Sequence, residues 1–241
     1  GALESVQRNA NRQRANLKFY EFGRTYRKTE KGYFEQQNLT LLITGNKEEE
    51  SWNSSKDKVN FFSLKAYVQQ LAEKIGVQKL KLKATEKSLY SEVFEIRAGK
   101  KVLGEIGILN NKVTKKFDIK QDVLFANILW DAFCDLAQNN KIQYSELPKF
   151  PTVRRDLSLL LNKETKFVEL EQMAFDLEKL LLKEVNLFDV YEGKNLPEGK
   201  KSYALSFTLQ DSEKTLIDKE IDKVMEKLMK GYKEKLGAEV R

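Results

Sequence analysis

Phe150-Pro151-Thr152-Val153-Arg154-Arg155-Asp156-Leu157-Ser158-Leu159-Leu160-Leu161 decides how the second part of this chain folds. Successive side chains of a strand point to opposite faces, so Leu157, Leu159 and Leu161 share a covered face while Asp156 and Ser158 point away from it. About thirty residues on, Asn186 to Tyr191 reads as a second strand, with Asp189 and Tyr191 opposed to Phe188 and Val190. A loop from Gly193 to Gly199 leads into a third, Ser202 to Leu209, and these last two are expected to form the central antiparallel pair. Asp156, Ser158, Asp189, Tyr191 and Ser202 then converge on one surface.

Two helical patterns complete this part. Leu170, Met173, Leu177 and Leu181 recur at helical spacing within Val168 to Leu182. Asp218 is placed to cap a helix through Tyr232 with Ile221, Val224, Leu228 and Tyr232 inward, and Gly237 to Val240 offers a closing strand. The order is βαββαβ. Both helices cover one face of the sheet, and the other is left open.

Upstream, the segment Tyr144 to Pro151 holds two of the three prolines and separates two apolar patterns, so domains are expected at residues 1–147 and 148–241. The first opens with a helix, Ala2 to Gln13, then strands at Lys18 to Tyr26 and Leu39 to Thr44. A polar loop, Glu48 to Asn60, precedes a helix in which Phe61, Leu64, Val68, Leu71 and Ile75 line one side; Asn60 is its expected cap and Gly76 its stop. Glu92 to Arg97 and Val102 to Leu109 alternate around Gly99 as a hairpin. The apolar run Val123 to Leu136 is ambiguous by period alone.

Composition narrows the function classes. The 241 residues are 41% hydrophobic and 33% charged, enough for two modest cores. No apolar run reaches the roughly 18 to 20 residues that span a bilayer, and no charged-then-apolar leader opens the chain, so no membrane partner is expected. Cys134 is the only cysteine, which rules out intrachain disulfides and suits a cytoplasmic location. Histidine is absent, removing the commonest general base and the commonest metal ligand together. No glycine-rich phosphate loop or metal-ligand cluster occurs, so no catalytic or metal residue is named. Of 43 Lys/Arg and 36 Asp/Glu, 25 and 18 precede residue 148, so the whole net charge of +7 lies in the first part and the second is neutral.

Three segments, in this order and spacing, carry a resemblance: the Arg154-Arg155-Asp156 strand start, Phe188-Asp189-Val190-Tyr191-Glu192-Gly193, and Leu196-Pro197-Glu198-Gly199-Lys200-Lys201-Ser202. They resemble the C-terminal, ferredoxin-like anticodon-binding domain of the phenylalanine–tRNA ligase β-subunit family of bacteria. The first part is similar to that family's catalytic-like module through Arg8-Asn9-Ala10-Asn11-Arg12 and Leu17 to Tyr26, where Phe22-Gly23-Arg24 takes the place of a class II synthetase motif. It departs from a working class II site, since no Gly-x-Gly-x-Glu-Arg strand occurs near Val113 to Asn127. For Phe19, Phe22, Tyr26 and Trp52, core or interface packing is expected over any ligand role.

The resemblance implies an α+β chain: an inactive class II synthetase-like antiparallel module, then the anticodon-binding domain. It also implies a fragment of the β subunit, with β domains upstream and a chain end after Val240-Arg241 matching the family's own. The parent reaction would be ATP-dependent attachment of phenylalanine to its tRNA, with magnesium and ATP held by an α subunit in a two α plus two β assembly. This piece would need no cofactor. At the matching positions the family reads the guanine at the first anticodon place, which points to Asp156, Ser158, Asp189, Tyr191 and Ser202. Their chemistry suits an unstacked base: a ring for stacking, and carboxylates for the N1–H and N2–H₂ donors of guanine. Arg154, Arg155, Lys200 and Lys201 are candidates for phosphate contacts. Asp156 paired with Arg154 or Arg155, and Ser158 and Ser202 as ordinary exposed strand residues, are the plain structural readings. A regulatory ferredoxin-like module binding an amino acid, or a purely structural interface protein, are the rival functions.

Overall fold

The computed structural model describes the whole chain apart from residues 31, 55, 78–79, 140–143, 145 and 194. Ser145, in the expected boundary segment, and Lys194, in the expected hairpin loop, therefore lie outside the described residues. The chain divides into two compact units, Gly1–Gln143 and Tyr144–Arg241. Both are α+β with antiparallel sheets.

In the first unit, α1 (Ala2–Ala10) is followed by β1 (Leu17–Thr29) and β2 (Gly32–Thr44), then α2 (Phe61–Lys74), β3 (Lys81–Thr85), β4 (Tyr90–Ala98) and β5 (Lys101–Leu109). A short α3 (Asn111–Thr114), β6 (Val123–Leu129) and α4 (Trp130–Asn139) complete it. The strands form one sheet in the order β1-β2-β6-β5-β4-β3. Leu64 and Val68 of α2 and Phe133 of α4 pack with Ile96, Ile106 and Ile128, while Val6 of α1 packs with Leu42, Val93 and Val123. Asn60 caps α2, its Oδ1 accepting the Ser63 N–H at 3.1 Å.

Two expectations change here. The opening helix ends at Ala10, with Gln13 at φ +62°. The ribbon β1–β2 is much longer than its apolar stretch, paired from Leu17↔Thr44 to Thr29↔Gly32. Its outer half is held by backbone pairing with solvent on both sides, so no alternation marks it. Of the aromatic residues expected in core or interface packing, Phe19 packs on a core and Phe22 meets Trp130 edge-on at 5.0 Å, whereas Tyr26 and Trp52 are 66% and 97% exposed within this chain.

The second unit comprises β7 (Val153–Asn162), α5 (Phe167–Leu177), β8 (Leu182–Tyr191), β9 (Lys200–Leu209), α6 (Asp218–Leu236) and β10 (Glu239–Val240). Its sheet order is β10-β7-β9-β8, the ferredoxin-like arrangement. The central pair is thus β7–β9, and the expectation of β8–β9 is corrected: β8 is an edge. Leu157, Leu159, Leu161, Tyr203, Leu205 and Phe207 form the covered face with Leu170 of α5 and Ile221, Leu228 and Tyr232 of α6. The Tyr232 hydroxyl donates to the Leu170 carbonyl at 3.1 Å, and burial pushes its pKa upward.

Two helix ends also differ from expectation. α5 stops at Leu177 rather than Leu182, because Glu178 accepts the N–H groups of Leu180 and Leu181 and β8 claims Leu182 opposite Leu209. Asp218 is the first residue of α6 and not its cap; the cap position is Ile217, whose N–H donates to Glu220. Gly237, at φ +60°, turns the chain out of α6 into β10.

Candidate nucleic-acid interface

Cross-strand register fixes which side chains share the uncovered face, because directly paired residues lie on the same side of a sheet. Three rows run across it. Asp156, Ser206 and Asn186 form one; Ser158, Ala204 and Asp189 the next; Leu160, Ser202 and Tyr191 the third. The five expected base-reading residues are therefore brought together. Ala204 is the smallest residue of the middle row, so it leaves a shallow floor between Ser158 and Asp189.

The hydroxyls of Ser158 and Ser202 lie 3.3 Å apart, diagonal neighbours across β7–β9. Ser202 is nearly buried, yet one hydroxyl of the pair can donate onward while the other donates to it. Tyr191, opposite Ser202 and 40% exposed, offers a ring at the edge of the floor. Asp189 is exposed, and among the described residues no side chain is found bonded to its carboxylate. Asp156 differs: Arg154 donates to both of its oxygens, at 2.8 and 3.4 Å. An exposed pair of this kind is worth about 0 to 1 kcal/mol, so it orients Asp156 without locking it.

Strict alternation fails at two places in β8, the first between Leu182 and Glu184 at the start of the strand. The register of β8 against β9 slips again between Leu187 and Asp189, leaving Phe188 as the extra residue of a bulge. Its ring centroid lies 5.2 Å from the Arg154 guanidinium carbon, so Phe188 reaches the uncovered side and does not oppose Asp189 as expected. The bulge also keeps both Leu187 and Asp189 in place, Leu187 opposite Leu205 in the core and Asp189 opposite Ala204 on the open side. Phe188 and Ala204 are the residues that the sequence reading missed; a bulge leaves no periodic signal, and a small floor residue becomes significant only once its two neighbours across the sheet are known.

The four candidate phosphate contacts divide. Arg154 and Lys200 stand on the open face, in register with Thr208 and Asn162. Arg155 and Lys201 face the helix side. Arg155 donates to Asp218 at 3.1 Å, and Lys201, only 6% exposed, holds its ammonium 4.5 Å from the Tyr203 ring centroid. Those two are not brought to the surface that a strand of RNA would follow.

The first unit carries a second concave surface, about 590 Å³, lined by Arg24, Tyr26, Arg27, Phe34, Asn38 and Asn127 among others. Its cations are engaged within the ribbon, Arg24 with Glu35 at 2.7 Å and Arg27 over the Phe34 ring at 4.5 Å. With its cations so engaged, this hollow is chemically less available than the open sheet face. Among the described residues no three Cys, Asp or Glu side chains converge as metal ligands, and no helix is long and apolar enough to cross a membrane.

Comparison with known proteins adds to this geometry. Residues 1–130 match the family model "Phenylalanyl tRNA synthetase beta chain CLM domain", and residues 148–241 match "Ferredoxin-fold anticodon binding domain". The chain is 43% identical to the phenylalanine–tRNA ligase β subunit of Bacteroides fragilis, covering 100% of this chain and 31% of that protein. It is 42% identical to the Bacteroides thetaiotaomicron subunit, again over 100% of this chain and 31% of the relative. Against the Bacillus cereus subunit identity is 34%, over 99% of this chain and 30% of that one. The chain therefore spans about a third of the curated relatives it matches. Among solved structures, pyrrolysyl-tRNA synthetase from Desulfitobacterium hafniense aligns with a TM-score of 0.46 and 15% identity, over 57% of this chain and 47% of that one.

Proposed function

The chain belongs to the phenylalanyl-tRNA synthetase β-chain family, and on that premise we propose that its second unit reads the anticodon of the tRNA for phenylalanine. One observation carries this reading: Asp189, Tyr191, Ser158 and Ser202 share the uncovered face of a ferredoxin-like sheet around the small floor of Ala204. Guanine fits that chemistry. Its N1–H and N2–H₂ are donors for the exposed carboxylate of Asp189, its O6 accepts from a serine hydroxyl, and its ring stacks on Tyr191. Asp156 is a further acceptor once Arg154 turns from it to a phosphate. Arg154 and Lys200 are the cations placed to hold the backbone, while Arg155 and Lys201 serve the fold.

The first unit is read as the catalytic-like class II module, residues 1–147 in outline, without chemistry of its own. ATP, magnesium and phenylalanine then belong to an α subunit, packed against this chain in an assembly of two α and two β chains in the cytoplasm. The reaction served is ATP-dependent attachment of phenylalanine to its tRNA.

Titration of the chain with the tRNA for phenylalanine, with the same tRNA changed at the first anticodon base, and with free phenylalanine tests the reading. Weaker binding of the changed tRNA is the expected result. Equal affinity for both tRNAs, or saturable binding of the amino acid alone, contradicts it.

A further inference from the structure

Gly193 lies two residues beyond the stacking ring, where the chain leaves β8. A Cβ built on it would stand 2.1 Å from the Tyr191 hydroxyl oxygen, 2.2 Å from Cζ and 2.8 Å from Cε2. No real Cβ sits so close to another atom, so any larger residue at 193 forces the phenol elsewhere. The backbone gives no separate reason for a glycine. Gly199, in the same hairpin, has φ +75° and needs glycine for its turn, whereas Gly193 lies outside that region. Nor is the loop free of constraint at this point, since Gly193 is half-buried and its carbonyl accepts the Leu196 N–H at 3.2 Å.

We propose that Gly193 is a positioning residue for nucleobase stacking: its missing side chain provides the room in which the Tyr191 phenol lies, and so fixes the plane offered to the base. The inference rests on Tyr191 being the stacking ring. Aromatic contacts depend on the offset and tilt of the two planes, so a displaced ring loses overlap even though it remains on the surface. Alanine at 193 is a clean probe, because it is compatible with the backbone there and the three atoms nearest its Cβ all belong to Tyr191.

The experiment compares the 241-residue chain with Gly193→Ala, Tyr191→Ala and the double variant. Each is titrated with tRNA carrying guanine at the first anticodon position, its thermal midpoint is measured, and the Tyr191 ring resonances of the wild type and of Gly193→Ala are recorded by NMR. Gly193→Ala is expected to move those resonances, leave the midpoint in place and weaken binding by roughly 5-fold or more, within the roughly 5- to 150-fold span expected for losing the ring. In the Tyr191→Ala background it should change affinity by less than about 2-fold. Unmoved resonances overturn the proposal, as does a loss of equal size in the chain that lacks the ring. Wild-type affinity in Tyr191→Ala removes the stacking reading itself, a failure separable from the positioning because the ring resonances report the latter without RNA.

Discussion

The β1–β2 ribbon and the uncovered face of the four-stranded sheet both expose aromatic rings beside charges, yet they differ in what those groups are doing. On the ribbon, Arg24 is paired with Glu35 and Arg27 lies over Phe34, contacts made between the two strands themselves. On the open sheet face, three strands bring an exposed carboxylate, two hydroxyls and a ring around a small floor. The difference teaches that exposure of aromatic residues does not define a site. Convergence of hydrogen-bonding groups that keep donors or acceptors to spare does.

The widest separation between the two units comes from the core of the second. Phe207 is fully buried, its ring 6.3 Å from that of Tyr232, and Phe207→Ala should destabilise that unit by about 3 to 5 kcal/mol. Chemical denaturation followed by NMR resonances from each unit should show the second transition move and the first stay. A smaller effect is expected at the surface. Asp189→Asn should cost about 1.5 to 3 kcal/mol in binding of guanine-bearing tRNA, the range of a charge-assisted hydrogen bond, and narrow discrimination at the first anticodon base. An undiminished preference for guanine would remove the carboxylate from the site.

Salt sharpens the contrast further. Lys200→Ala should lower the slope of log affinity against log salt by about 0.7, one phosphate contact on a single strand, whereas Lys201→Ala should leave that slope unchanged because its ammonium is engaged with Tyr203 on the other side. The smallest effect belongs to the ribbon. Tyr26→Ala, at an exposed position, is expected to alter anticodon affinity and stability by less than about 0.5 kcal/mol.

How much of this was legible in the sequence follows from which forces leave a pattern. Leu157, Leu159 and Leu161 alternate because one face of β7 is buried, so the open-face assignment of Asp156 and Ser158 could be read directly. The resemblance of three short segments then directed attention to Asp189, Tyr191 and Ser202. The outer ribbon, the bulge at Phe188 and the edge position of β8 were not legible: backbone pairing, register slips and strand order leave no mark on the spacing of apolar residues. Arg155 and Lys201 differ, since period two already separates them from Arg154 and Lys200. A run of two cations in a strand must send one side chain to each face, and Asp218 and Tyr203 supply the partners on the covered side.

The most direct test of the account is to map which backbone amides shift when a labelled chain meets the anticodon stem-loop of the tRNA for phenylalanine. The account predicts shifts at Ser158, Asp189, Tyr191, Ser202 and Ala204, with the β1–β2 ribbon and the outer surfaces of α5 and α6 silent. Shifts confined to the ribbon, with β7, β8 and β9 unmoved, would contradict it.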